Sequence, residues 1–451
     1  MKSHSSRAVL LTEGTPWKRI LAFSVPLLIG AVFQQVYNLV DTVIVGRFLG
    51  EEALAGVGAT HNITMFVLAV TFGLTVGAGI ITAQCFGAQA WKRLRAAVSA
   101  TVTACLIMTV ISMAVGLAGN RFFLRLLQVP EDVLPYAAQY LEVLYWLIGG
   151  QVAYNGAASI LRSVGDSRTP LIALIVSSVL NIALDILFVT VIPWGVRGAA
   201  LATAISQIVS AVICIVRLYK ERESVHLVGI RWKPEAGQVK LVFHAGLPQA
   251  LQSCLISFGN MAVQRLINSF GVAVMAAYAG AIKVDGIAVQ FIVSVTSALA
   301  VFTGQNMGRR DFLRIRQGLR STLFIGAAEA VAIAALTFVF GQHFIRLFLG
   351  ANAGPETIAV GAQYLRVMGA AYLMCVLMRG FLAVITGAGD VNVGALAGFA
   401  ELAGRVAFSY LLAPYFGILG VWIATPISWG CGAIVPMVRY FSGKWKQKAL
   451  V

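Results

Sequence analysis

Asp41 stands in an apolar run, with Gln34, Tyr37 and Asn38 seven, four and three residues before it. On a helix these spacings put all four on one face. Val36, Val40, Val43 and Ile44 form the opposite face. A charged side chain at mid-bilayer costs about 2.5–3.5 kcal/mol on insertion scales, so such residues are rare and as a rule functional. Asp185 is a second acid of this kind. Asn181 lies four residues earlier on the same predicted face, and Ile186 to Ile192 continue apolar beyond it. Thr203 and Asn155, on neighbouring predicted helices, complete a shell of oxygens. Two carboxylates with amide and hydroxyl oxygens suit a hard monovalent cation such as sodium. They equally suit a proton, because two carboxyls sharing a dry site resist being charged together. The residues leave that choice open. A polar clasp between helices is the alternative reading of the same stripe. Pro26, earlier on the same predicted helix, removes a backbone bond and marks a hinge.

The elements that position these groups follow from composition. Of 451 residues, 59% are hydrophobic and 12% are charged, and the mean hydropathy is +0.84. Soluble domains carry roughly twice that charged share. Twelve segments are long and apolar enough to cross a membrane: 19–45, 54–80, 94–117, 134–158, 169–192, 197–218, 241–268, 273–300, 318–340, 357–384, 391–414 and 418–440. In lipid their backbone groups must pair internally, so the fold class is an all-α polytopic membrane protein. A barrel is excluded, since its strands would alternate polar and apolar.

The net charge of +16 belongs to short loops and not to a nucleic-acid-binding surface. Lys and Arg crowd one side: Lys2, Arg7, Lys18 and Arg19, then Lys92, Arg93 and Arg95, the central Arg217 to Lys240, Arg309 to Arg320, and Arg439 to Lys448. Arg47, Arg121, Arg125, Arg197 and Arg346 alone fall opposite. Both termini are therefore expected in the cytoplasm, which an even number of spans satisfies. The six cysteines sit in or beside apolar runs without a CxxC pair and read as packing residues. The polar, basic first 19 residues carry no signal peptide pattern.

The chain also repeats itself. Gln84-Cys-Phe-Gly87 returns as Gln305-Asn-Met-Gly308, Ala138-Gln-Tyr-Leu141 as Ala362-Gln-Tyr-Leu365, Gly165-Asp166 as Gly389-Asp390, and Gly195-Val-Arg-Gly198 as Gly417-Ile-Leu-Gly420. These matches predict two six-helix lobes, 1–218 and 241–440, related by a pseudo-two-fold along the membrane normal. A linker at 219–240 containing Pro234 and a basic tail at 441–451 complete the chain. Parallel repeats of this kind are a transporter pattern.

These motifs, with Asn38-Leu-Val-Asp41, Leu161-Arg-Ser-Val-Gly165-Asp166 and Asn181-Ile-Ala-Leu-Asp185, resemble the multidrug and toxic compound extrusion (MATE) family over nearly the whole chain. The closest likeness is to the prokaryotic branch with two acids in the N-terminal lobe. The resemblance implies export of organic, often cationic, compounds across the cytoplasmic membrane in exchange for protons or sodium ions. It assigns the cation site to Asp41, Asn181, Asp185 and Thr203, and needs no cofactor beyond the coupling ion. Expected partners are a small organic substrate and membrane lipid, with no nucleic acid, around a monomer. A flippase for lipid-linked oligosaccharide is the competing reading; a channel or sensor is a weaker one.

The second half does not copy the acid pair, because the repeat places Val263 and Gln264 opposite Asp41. It has buried charges of its own. Lys283 and Asp285 share one predicted helix, and Lys283 reads as paired with a neighbouring acid or facing a cavity. Glu401 and Arg405 lie at i, i+4 and read as a structural ion pair or a cavity lining. Gly165-Asp166 and Gly389-Asp390 read as helix caps. Gly73-x-x-x-Gly77 is a weak helix-packing signal. No GxxxxGK[ST], HExxH or GxSxG pattern supports ATP drive or an enzyme.

Overall fold

The computed structural model describes residues 10–229, 235–350 and 354–450. Lys2, Arg7, Arg231, Lys233 and Pro234 lie outside them. Thirteen α-helices make up nearly all of the described chain: α1 (Pro16–Leu49), α2 (Glu51–Gly87), α3 (Trp91–Leu126), α4 (Leu134–Trp146), α5 (Ile148–Ser163), α6 (Arg168–Asp185), α7 (Gly195–Lys220), α8 (Ala236–Asn268), α9 (Val272–Gly308), α10 (Phe312–Leu349), α11 (Pro355–Gly387), α12 (Asn392–Phe416) and α13 (Ile418–Phe441). Among the described residues, eleven segments are individually long and apolar enough to span.

The fourth predicted span, 134–158, is two helices, neither of them among those eleven. α4 and α5 meet at Leu147, whose φ of −109° and ψ of 11° leave the helical region. Gly149 and Gly150 follow at once, and paired glycines weaken a helix enough to let it break. The expected helix over 169–192 also changes type. α6 ends on Asp185, and Ile186–Val191 continue as a π-helix. Extra-wide turns of this kind tend to sit at functional sites.

Two compact units divide the chain, one built on Ile29–Ala250 and the other on Leu11–Leu28 with Leu251–Val451. Two stretches thus fall on the other side of the boundaries expected from sequence. Residues 11–28 open α1 but cluster with the second half, and 236–250 open α8 but cluster with the first. Both crossings come two residues after a proline inside a continuous helix, Pro26 in α1 and Pro248 in α8.

In the first unit, α2 approaches the opening stretch of α8 almost backbone to backbone. A Cβ on Gly73 would stand 2.2 Å from the Ala250 nitrogen, and one on Gly77 would stand 2.4 Å from that of Gly246. The Gly-x-x-x-Gly spacing is therefore a tight crossing, as small residues permit in lipid. Val45, Tyr140, Val189, Val196, Ala199 and Ala200 pack together, which fixes α4 and α7 against the end of α6.

In the second unit, residues 11–28 are tied in by polar and apolar contacts. The Leu11 N–H donates to Gln305 Oε1 at 2.8 Å, and Arg314 donates to the Leu11 carbonyl. Ile20 and Phe23 pack with Leu299, Phe302 and Val384.

The repeated motifs have a local physical meaning. Gly195 and Gly417 both have positive φ, 61° and 59°, a region that glycine enters without strain. The second glycine of each motif lies against a carbonyl. A Cβ at Gly198 would come within 2.7 Å of the Phe188 oxygen, and one at Gly420 within 2.5 Å of the Leu412 oxygen. Asp166 accepts from the Thr169 N–H at 2.9 Å and so caps α6. It faces Arg217 at 4.0 Å, as Asp390 faces Arg439 at 2.5 Å.

Candidate functional site

α1 presents Gln34, Tyr37, Asn38 and Asp41 to one cavity of about 650 Å³ within the first unit. Gln34 and Asn38 are exposed there, and Tyr37 and Asp41 are half-buried. The opposite side of α1 divides, with Ile44 and Val40 packing into the unit and Val36 and Val43 facing outward. α6 carries Asn181 and Asp185, both fully buried; Asn181 lines a smaller chamber beside that cavity, and Asp185 lies behind Asp41 without lining either. Their spacing of one helical turn sets the two side chains on a common face.

The Asp41 and Asp185 carboxyls lie close enough to feel each other's charge. Tyr140, from α4, is buried beside Asp41 and Thr203. Thr203, on α7, lines the large cavity together with Asp41, and a smaller chamber together with Asn181 and Tyr37. Asp41 Oδ1, both Asp185 oxygens and both polar atoms of the Asn181 amide are buried, and apart from the two carboxyls facing each other none has a protein partner. Buried polar groups are as a rule paired, so a concentration of unpaired ones marks a place built for something else. The donor set is two carboxyls, an amide oxygen and a hydroxyl. It fits a proton or a hard monovalent cation equally well. Residues 41, 181, 185 and 203 thus come together as the sequence led us to expect. Asn155, half-buried on α5, is not among the residues lining either cavity.

Charges in the second unit are partnered differently. The Tyr372 hydroxyl, on α11, donates to Asp285 Oδ1 of α9 at 2.5 Å. Arg405 pairs with Glu401 at 3.5 Å and donates to Asn260 Oδ1 of α8. Gln264 bonds Asn268 one turn along α8. Lys283 is exposed and forms no salt bridge among the described residues, so the expected pairing with an acid is not made.

Several groups escaped the sequence reading. Tyr140 was legible only as part of a repeated motif. Ser177, Ser178, Ser206 and Gln207 line the smaller chamber beside the acids, yet serines on apolar helices carry no distinctive signal. Glu329 hides in the long run of α10, and its Oε2 is buried without a partner.

A helical membrane protein built from two repeated units has the architecture of a transporter. The MatE family model matches residues 26–187 and again 248–411, and the chain belongs to that family. The two matches begin at Pro26 and Pro248, the prolines that precede the unit crossings. The chain is 28% identical over 444 residues to the probable multidrug resistance protein YoeA of Bacillus subtilis, covering 96% of this chain and 95% of that one. It is 23% identical over 449 residues to the probable multidrug resistance protein NorM of Thermotoga maritima, covering 96% and 94%. A MATE crystal structure in complex with MaL6 superposes with a TM-score of 0.91 at 25% identity, covering 98% of this chain and all of that one. The chain is a multi-pass membrane protein of this family.

Proposed function

We propose that the protein is an antiporter. It exports organic cations or amphipathic compounds across the cytoplasmic membrane in exchange for H⁺ or Na⁺, by alternating access, as a monomer with both termini in the cytoplasm. The observation that carries this reading is the double position of Asp41. It lines the 650 Å³ cavity and also faces Asp185. An entering ion and a departing organic cation thus address one carboxyl. A ligand shifts a conformational equilibrium only by binding one form better than the other, and a shared carboxyl supplies that differential.

The cavity suits such a substrate. Small-molecule sites span about 300–1,000 Å³ and are mostly apolar with a few polar groups. Leu54, Val57, Met65, Leu68 and Leu144 form apolar walls, and Asp41 is the one ionisable carboxyl among the lining residues, which include neither Lys nor Arg. That lining favours a cation with an apolar body over an anion. The relatives named as multidrug resistance proteins support the same class.

The test is efflux of ethidium from proteoliposomes under a proton gradient alone and a sodium gradient alone. Asp41→Asn and Asp185→Asn are expected to reduce gradient-driven efflux to the leak of protein-free liposomes while eluting as folded monomers. Wild-type efflux by both variants sinks the reading.

A further inference from the structure

Asp41 aside, three side chains lining the large cavity carry a buried polar atom without a protein partner: Thr64, Tyr145 and Gln207. Gln207 stands one turn beyond Thr203 on α7 and so belongs to the acid-pair side. Thr64 and Tyr145 do not. Threonine in a helix often donates to its own backbone, and Thr60, Thr71, Thr75 and Thr82 of α2 all do so. The Thr64 hydroxyl makes no such bond. Tyr145 is 3% exposed, with its hydroxyl oxygen buried and unpaired.

These two hydroxyls share one end of the cavity. Val57 of α2 packs with Tyr140, which lies beside Asp41. Seven residues on, about 10 Å along the helix, Thr64 falls between Ile63 and Val67, which pack in the cluster that holds Tyr145. On α4, Tyr145 follows Tyr140 by five residues, about 7.5 Å of rise and about 140° of turn. The cavity thus has a carboxyl end at Asp41 and a hydroxyl end at Thr64 and Tyr145.

Packing alone does not account for the tyrosine. Its ring fills a notch on α3, where a Cβ on Gly116 would come within 2.3 Å of the Tyr145 Cδ1. The repeat puts Thr337 at the position of Gly116 and Gly369 at that of Tyr145. Those two residues also meet, since a Cβ on Gly369 would stand 2.4 Å from Thr337 Oγ1. The same contact is made in both units with the large and small partners exchanged. In the second unit the larger partner is a threonine whose hydroxyl donates to the Ile333 carbonyl at 2.9 Å. A phenylalanine would fill the Gly116 notch as well as Tyr145 does, and an unpaired buried hydroxyl costs stability. A ligand that pairs it in the cavity accounts for the hydroxyl where packing does not.

We propose that Thr64 and Tyr145 bind a neutral hydrogen-bonding group of the exported compound, at the opposite end from the charge held at Asp41. The substrate class is then an organic cation with an apolar body and an amine, hydroxyl or carbonyl remote from its charge. A hydroxyl both donates and accepts, so the site admits any of the three. The Gly116 notch holds the Tyr145 ring in place before the ligand arrives, which lowers the ordering cost of binding. This deepens the antiporter reading and rests on it for the cation at Asp41.

Equilibrium binding by the whole chain in detergent, without any gradient, tests the proposal. Ethidium carries aromatic amines, whereas tetraphenylphosphonium has a charge and an apolar body but no hydrogen-bonding group. Tyr145→Phe keeps the ring and Thr64→Val keeps the volume, so each removes a hydroxyl. Each is expected to lower the ratio of ethidium to tetraphenylphosphonium affinity about three- to tenfold, the worth of one neutral hydrogen bond. The ligand-free Tm of Tyr145→Phe is expected to equal or exceed that of the parent, since an unpaired group is lost. A parental affinity ratio in either variant overturns the proposal. So does a lower Tm, which assigns the hydroxyl to structure. Asp41→Asn addresses the reading beneath. It is expected to weaken both cations together, and parental binding of both removes the carboxyl end along with the observation that carries the antiporter reading.

Discussion

Asp185 and Asp285 are both acids on spanning helices, and their partners assign them different work. Asp185 has no protein partner other than the Asp41 carboxyl it faces, whereas Asp285 accepts from the Tyr372 hydroxyl. On the proposed reading the first binds and releases an ion, whereas the second is held by its tyrosine partner. Removing the hydroxyl with Tyr372→Phe takes the partner of Asp285 Oδ1 and leaves the carboxyl with Tyr364. It is expected to destabilise the protein by about 1–3 kcal/mol, the cost of an unsatisfied buried group, read as a lower Tm in detergent with ethidium binding retained. An unchanged Tm contradicts that account. The acids and their amide neighbours were legible because a carboxylate in an apolar run stands out. Tyr140 and the chamber serines were not, because tyrosine and serine are ordinary in membrane helices and only the packing of α4, α6 and α7 shows what they face. The repeat supplied one clue. Tyr140 and Tyr364 occupy equivalent motif positions, and each stands near an acid of its own unit, although Asp41 and Asp285 are not equivalent to each other.

Among the elements, span positions were readable from hydropathy to within a few residues at most ends. Breaks inside spans were not. The interruption at Leu147 and the π-helix after Asp185 depend on backbone geometry that an apolar run conceals. Glycines were the partial exception, since Gly73 and Gly77 did mark a close crossing. Gly77→Leu is expected to force α2 away from Gly246 and cost about 1–3 kcal/mol, as overpacking does, with a Tm drop larger than that of Gly58→Leu, where a Cβ meets no neighbour within 4 Å. Equal drops would remove the crossing's importance. Prolines were the other signal. Pro26 was expected to mark a hinge; α1 runs through it as one helix, and it stands just before the unit boundary as Pro248 does in α8. If α8 also flexes where it passes between units, Pro248→Ala lowers the maximal efflux rate more than it changes ethidium affinity. A variant with parental turnover restricts flexing to α1.

For the molecule as a whole, duplication of the fold was evident from the repeated motifs, but the composition of the two units was not. Sequence order suggests lobes cut cleanly at the linker. The structure instead gives each unit an opening stretch encoded in the other half, because residues 11–28 and 236–250 find their packing partners there. Halves made separately, 1–218 and 241–451, are therefore expected to be unstable alone and to regain ethidium efflux only when produced together. Recovery of a folded, protease-resistant first half by itself would count against this. The same arrangement bears on biosynthesis. Leu11 leaves the ribosome well before its partner, because its N–H donates to a side chain 294 positions later. At about 5–20 residues per second of synthesis, that separation is a wait of about 15–60 s. During it the basic, half-apolar start of the chain has no native place to dock. This segment is made well before the partner that seats it, and the cell must keep it from pairing with anything else until then.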